Sequence, residues 1–274
     1  MKRRSKLGQI ALAVLLVLGL MLTVVACGNS EQGDIEGNGE GKPVVYKVGT
    51  EPSFAPFEYK DLETDEITGF DIDLIKAIAA EGGFEVEIQG LGFDALIPAL
   101  QGGTLDIIAS GMTIDEKRSK QVDFTAPYVN SGLALAVAAN NEVIISEKDL
   151  QGKSVAVQIG TTGAKKADAL KDAGIVKKVL TYDTIDVLMA ELTKGTADAV
   201  INDLPVTQEF INKGHNEVKI VGEPLDSEQY GFAVAKGKTA LLEKLNSGLQ
   251  TVMENGTYAE LLEKYNLPEN SWPK

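Results

Sequence analysis

Residues 94–111 read DALIPALQGGTLDIIASG, and residues 186–203 read DVLMAELTKGTADAVIND. Aligned without a gap, Asp94 and Asp186, Leu96 and Leu188, Leu100 and Leu192, Gly103 and Gly195, Thr104 and Thr196, and Asp106 and Asp198 coincide. Each copy spells an amphipathic helix, a tight glycine turn and a strand, because apolar residues recur at helical spacing and then run together. Two helix–strand units can agree by chance, whereas a true repeat would build two similar lobes. Ser110-Gly111 and Asn202-Asp203 are then equivalent strand ends. Ligands of open α/β sheets bind beyond the carboxyl ends of strands, so two such ends facing each other predict a cleft.

The same alternation extends outward from the repeat. Strands are expected over 44–49, 85–88, 106–109, 132–138, 153–158, 176–180, 197–201 and 231–235. Helices are expected over 70–80, 94–100, 162–173 and 184–192, with two more over 241–265 broken near Asn255-Gly256. Strand–helix alternation implies parallel sheets flanked by helices, an α/β fold. A chain of 274 residues, 44% apolar, is long enough to give two lobes separate cores.

The first 26 residues are unlike the rest. Lys2, Arg3, Arg4 and Lys6 form a basic head before an apolar run from Ile10 to Val25, ending at Ala26, as in a secretion signal. The run is short for a bilayer span, which needs ~20 residues. Val24-Val25-Ala26-Cys27 resembles the lipobox of bacterial lipoproteins, which makes Cys27, the single cysteine, a lipid anchor. An exported chain with no second cysteine has no disulfide to support its cores. Residues 27–43, rich in Gly, Glu, Asp and Asn, can bury no apolar area and read as a flexible tether. Removing the signal takes away four positive charges and no negative ones, lowering the net charge from −14 to −18. Such a body does not bind nucleic acid through its surface, and at ~8 Å screening its net charge cannot choose a small ligand.

The candidate binding residues sit at strand ends and helix starts. An amino-acid zwitterion needs a two-pronged cation and free N–H groups for its carboxylate, and a carboxylate with neutral oxygens for its ammonium. Arg118 closes the run Thr113 to Arg118; the plainer reading is a solvated charged stretch. Gly160-Thr161-Thr162-Gly163 follows a strand and opens a helix, offering hydroxyls and N–H donors at a positive helix end, or simply a cap. Asp203, before Leu204-Pro205, offers either an ammonium acceptor or a helix cap. The loop from Glu51 to Phe57 is aromatic, with Phe54 and Phe57, the latter read as core; Phe93 is open to either reading. His215 reads as a surface residue, Trp272 is assigned no role, and no Cys/His/Asp cluster has metal-ligand spacing.

With those residues placed, the chain from Val44 to Trp272 resembles the polar amino-acid-binding proteins of bacterial ABC importers. The match is carried by GTEPSFAPFEY (49–59), GFDIDL (69–74), GFDALIPALQ (92–101), SGMTIDEKR (110–118), AVQIGTTG (156–163), ADAVIND (197–203), QYGFAVAKG (229–237) and ENGTYAELLEKY (254–265). The resemblance implies a two-lobed type II periplasmic-binding-protein fold, each lobe a mixed sheet flanked by helices. Lobe 1 would comprise 44–129 plus 230–274 and lobe 2 130–229, with hinge strands near Asn130 and Glu228. It implies that Arg118, helped by Thr113 and Thr162, clamps an α-carboxylate. Asp203, with the Gly111 carbonyl and the Thr113 hydroxyl, would take the α-ammonium. Phe54 and Phe93 would flank the ligand side chain, Glu51 and Gln158 would face its far end, and Ser110 and Thr161 would complete the site.

Glu51 between two aromatics suits a cationic or amide tip, which favours arginine, lysine or histidine, with glutamine as the alternative. The implied partners are a free L-amino acid, the transmembrane subunits of an ABC permease and the membrane through Cys27. A monomer without cofactor or metal is expected. An enzyme of the dehydratase type on the same fold is the rival of another class. It would need a general acid or base in the cleft, for which Glu51 is the one evident candidate.

Overall fold

The computed structural model describes residues 42–268, of which Pro43–Pro268 belong to one compact unit. The signal, Cys27, most of the tether and Trp272 lie outside the described residues. Thirteen strands are described: β1 (Val45–Thr50), β2 (Ser53–Phe54), β3 (Glu58–Lys60), β4 (Ile67–Thr68), β5 (Glu85–Gly90), β6 (Ile107–Ile108), β7 (Val122–Phe124), β8 (Val129–Ala138), β9 (Ser154–Gln158), β10 (Lys178–Tyr182), β11 (Ala199–Asp203), β12 (Val218–Tyr230) and β13 (Ala233–Ala235). The helices are α1 (Phe70–Gly82), α2 (Phe93–Gln101), α3 (Glu116–Ser119), α4 (Thr162–Asp172), α5 (Ile185–Thr193), α6 (Leu204–Asn212), α7 (Thr239–Glu254) and α8 (Thr257–Lys264). One 3₁₀ turn covers Glu147–Leu150.

The repeat is structural. One sheet runs β5-β1-β6-β13-β7 and the other β10-β9-β11-β8-β12. In each, three strands pair in parallel and a fourth, β13 or β8, runs antiparallel between them and the edge strand β7 or β12, so the sheets are mixed rather than wholly parallel. Gly103 and Gly195 both close the helix of their copy with left-handed backbone, φ 72° and 79°, which a side chain would resist. Asp106 accepts from the Lys47 N–H at 2.9 Å, and Asp198 accepts from the Ser154 N–H at 2.8 Å. The coincident aspartates thus tie equivalent strands to equivalent turns. That shared bond accounts for the alignment better than amphipathicity alone.

Both faces of the second sheet are buried, and the residues alternate accordingly. Leu135, Val137, Val155, Val157, Ala199 and Ile201 pack with Ala164, Ala167 and Leu170 of α4. Ala136, Ala156 and Val200 join Ile185, Leu188 and Met189 of α5. In the first lobe α1 buries Phe70, Leu74, Ile75 and Ile78 against α7, whose Gly248 lets the two backbones approach. A Cβ at Gly248 would stand 2.8 Å from Ile78 Cγ2. Each fully buried Leu, Ile or Phe contributes roughly 1.5–3 kcal/mol, which makes these faces the main stabilising term.

Several elements differ from the sequence reading. The hairpins of β2, β3 and β4 and the short α3 fall in what reads as loop. β10 lies two residues later than expected, and β8 begins at Val129 rather than Gly132. β12 is the largest omission: its residues include Gly222, Pro224 and four acidic or amide side chains. It is a strand because β8 supplies its hydrogen bonds, from Val218↔Ala138 to Tyr230↔Val129, with a register shift between Val221 and Asp226. Beyond that ladder the two strands reach the first lobe, where Gly231 N–H donates to Met112 and Ile114 N–H to Gln229. Asn130 and Glu228, the expected hinge positions, lie one register step apart in this ladder.

Candidate functional site

Four strand ends converge between the sheets. Glu51 follows β1 and Gln158 ends β9, its counterpart; Ser110-Gly111 follows β6, and Asp203 ends β11, its counterpart. Polar contacts between the two halves gather at these strand ends. Gln158 Nε2 donates to Glu51 Oε2 at 2.9 Å, Arg118 donates to the Gly160 carbonyl at 3.2 Å, and the Ile185 N–H at the start of α5 donates to Ser53 Oγ at 3.1 Å.

Arg118 is not solvated. It is 6% exposed, its guanidinium also donates to the Thr113 carbonyl at 2.8 Å, and it lies 5.2 Å from the centre of the Phe93 ring. Phe93 is half-buried, partly in the core and partly beneath that cation. Burial pushes the Arg118 pKa down, and the carboxylates of Asp115, Glu228 and Asp203 pull it back. Asp115 is the residue that caps α3, by accepting from the Arg118 N–H at 2.7 Å.

Asp203 does not cap α6 with its side chain. It is 4% exposed and accepts from the Tyr230 hydroxyl. Burial, then the neighbouring Glu228 carboxylate, pushes its pKa well above the usual carboxylate range. Glu228, 9% exposed, accepts from Thr113 Oγ1 at 3.1 Å, so Arg118, Thr113, Glu228, Asp203 and Tyr230 form one polar chain. Sequence reasoning placed Glu228 only in a hinge. Its acidic run offered no signal that β8 would turn it toward Asp203.

Glu51 is 4% exposed and accepts from Ser53 at 2.8 Å as well as from Gln158. Burial raises its pKa, the two donors pull it down, and Asp186 pushes it further up. Phe54 is buried against Tyr230 and covers Gly111, where a Cβ would stand 2.6 Å from the ring. The Ser110 hydroxyl donates to Glu58 at 2.9 Å and accepts from the Glu51 N–H at 2.9 Å. Thr161 caps α4, accepting from the Ala164 N–H at 3.1 Å and donating to Gln158 at 2.8 Å. Thr162 has Thr113 and Glu228 as fellow lining residues of a cavity of about 890 Å³. A smaller cavity of about 300 Å³ is lined by Phe93, Arg118, Gly160 and Thr161. Of the eleven expected residues, Thr113 and Thr162 line the larger cavity and Phe93, Arg118 and Thr161 the smaller, while Glu51, Ser110, Gln158 and Asp203 are buried in hydrogen bonds to other residues of the protein.

The charge balance is one-sided. The buried charged residues are Glu51, Glu58, Asp71, Asp203, Glu228 and Arg118, five acids to one base among the described residues. Among those residues no group of three His, Cys, Asp or Glu could hold a metal ion.

A sequence profile described as "Bacterial extracellular solute-binding proteins, family 3" matches residues 46–268. A probable histidine-binding protein of Campylobacter jejuni is 33% identical over 257 residues, covering 93% of this chain and 98% of that protein. The arginine-binding extracellular protein ArtP of Bacillus subtilis is 33% identical over 256 residues, covering 93% of this chain and 96% of that protein. The solved structure of an ancestral arginine-binding protein bound to glutamine superposes with a TM-score of 0.77 at 42% identity, covering 83% of this chain and 100% of that chain.

Proposed function

Because the chain belongs to the bacterial extracellular solute-binding proteins of family 3, we propose that it captures a basic L-amino acid by closing two lobes around it. It then delivers the amino acid to an ABC permease while tethered to the membrane through lipid on Cys27. The lobes are 44–129 plus 230–274 and 130–229, and they hinge where β8 and β12 pass between them. Arg118 takes the α-carboxylate, Asp203 and Glu228 take the α-ammonium, and Glu51, beside Phe54, takes the cationic tip.

The buried charge supports this reading most. Three buried carboxylates and one guanidinium border the cleft. A zwitterion with a neutral side chain brings one cation and one anion, which leaves two of the four carboxylates, its own included, without a cation, and a cationic side chain reduces that to one. Burying an unpaired charge is costly, and burial already raises the pKa of Glu51 and Asp203. Arginine, lysine or protonated histidine supplies the second cation. Closure follows because Arg118 and Asp203 come from different halves, so the full set of contacts exists only when the halves meet.

Glutamine is the second ligand in rank, because its amide could replace the Glu51–Gln158 hydrogen bond but not the missing charge. Turnover is not part of this reading, because every acid in the cleft is engaged in holding the zwitterion or its tip.

The test is a thermal-shift screen of the twenty amino acids. A ligand at ~1,000 times its Kd stabilises the native state by about 4 kcal/mol, near 8–16 °C for a body of this size. Arginine, lysine and histidine are expected to head the ranking. A ranking headed by acidic or apolar amino acids rejects the assignment.

A further inference from the structure

Two of the five buried acids lie behind the cleft. Glu58 in β3 and Asp71 in the first turn of α1 are each 0% exposed. Asp71 Oδ2 accepts from the Gly111 N–H at 2.8 Å and from the Tyr128 hydroxyl. Glu58 Oε1 accepts from Ser110 Oγ at 2.9 Å, and that oxygen in turn accepts from the Glu51 N–H at 2.9 Å. One carboxyl pair therefore holds the backbone of Glu51, the hydroxyl of Ser110 and the backbone of Gly111.

The remaining two oxygens, Glu58 Oε2 and Asp71 Oδ1, are buried without a protein N–H or O–H to serve them. Asp71 lies beside Glu58: its N–H donates to the carbonyl of Phe57, the residue before Glu58, at 2.8 Å, and the two carboxyl groups hold the adjacent Ser110 and Gly111. Two ionised carboxylates can only accept, and side by side in a dry interior they repel. The charged and titratable groups facing the pair are Tyr128, Tyr258, Glu51 and Asp203, none of them a cation.

We infer that Glu58 and Asp71 hold one proton between them, carried by Glu58, and act as positioning residues that fix the Glu51, Ser110 and Gly111 backbone around the ligand. One proton serves both orphaned oxygens at once. It sits on Glu58 because Asp71 has the two stronger stabilisers of negative charge, a backbone N–H and a phenol. Consistent with that division, burial pushes the Asp71 pKa only to about 6 but the Glu58 pKa well above the usual carboxylate range. The inference rests on the reading that these three residues contact the ligand.

The experiment compares Glu58→Gln with Asp71→Asn, using L-arginine calorimetry and infrared spectra near neutral pH. Glutamine reproduces a protonated Glu58, its amide donating to Asp71 while its carbonyl takes Ser110. Glu58→Gln is therefore expected to keep arginine affinity within about twofold, whereas Asp71→Asn loses the charged acceptor of Gly111 and weakens it about tenfold or more. A merely structural pair would not give that asymmetry. The infrared spectrum of the ligand-free protein is expected to contain a buried carboxylic-acid C=O band that Glu58→Gln removes.

Equal weakening by the two variants, or identical carboxylic-acid bands in wild type and Glu58→Gln, overturns the inference. If Asp71→Asn does not fold, the infrared difference decides alone. Failure of the wild-type protein to bind arginine would sink the functional reading but leave the infrared result standing.

Discussion

Replacing Glu51 by glutamine separates ligand charge from ligand shape. The substitution keeps volume and leaves Ser53 and Gln158 with an amide to meet, but removes the negative charge. With arginine bound, the lost interaction is a guanidinium–carboxylate pair in a site where Glu51 is 4% exposed. Hydrogen bonds to charged groups are worth about 1.5–3 kcal/mol, and 1.4 kcal/mol is a factor of ten, so arginine affinity should fall about 10- to 140-fold. Glutamine, which brings no second cation, should change by less than about threefold on the same scale. Ligand-free stability should not fall, because a buried carboxylate costs more to hold than an amide. Calorimetric titration of both amino acids into both proteins, with melting curves of each, reads all three quantities. Unchanged arginine affinity, or equal losses for arginine and glutamine, would refute the assignment of Glu51 to the cationic tip.

Four further outcomes are expected. Burial raises Glu51 and Asp203 in the ligand-free protein, and an incoming ammonium and guanidinium lower them, so arginine binding should release protons and weaken as the pH is lowered from neutral. Titrations in buffers of different ionisation heat count those protons, and pH-independent binding contradicts the pairing. The sign for stability is opposite: Asp71, raised from 3.8 to about 6, holds its proton more tightly folded than unfolded, so its contribution to ligand-free Tm should rise as pH drops from about 6 toward 3.8. Gly111→Ala should lower Tm by several degrees and weaken arginine binding. Its φ of 45° costs a side chain about 1–2 kcal/mol, and the new methyl would meet Phe54 at 2.6 Å. Cys27→Ser should move the protein from the membrane fraction to the medium when it is expressed in a lipoprotein-processing bacterium, whereas continued membrane association speaks against lipidation.

The parts legible in sequence are those fixed by local periodicity. The helix–glycine–strand repeat, the buried stripes of α1 and α5, and the strand ends that supply Glu51, Gln158, Gly111 and Asp203 all follow from apolar spacing and glycine turns. What sequence did not show is set by distant partners. β12 carries Gly222, Pro224 and several charges, and is extended only because β8 pairs with nine of its thirteen residues. Glu228 reads as one more acid in an acidic chain until that ladder carries it to Thr113 and Asp203. Asp71 reads as a favourable charge in a first helical turn, and Glu58 as a polar neighbour of Tyr59, yet both are fully buried. Arg118 shows the reverse case. Its charged neighbours suggest solvent, and only the approach of Gly160 from the other half explains its burial.

The central claim is that a guanidinium from one half and carboxylates from the other hold a single zwitterion. Calorimetric titration of Arg118→Ala with L-arginine tests it most directly, with circular dichroism confirming that the variant is folded. Losing two charge-assisted bonds at about 1.5–3 kcal/mol each predicts an affinity at least a hundredfold weaker. A folded variant that binds arginine as tightly as the wild-type protein would contradict the account.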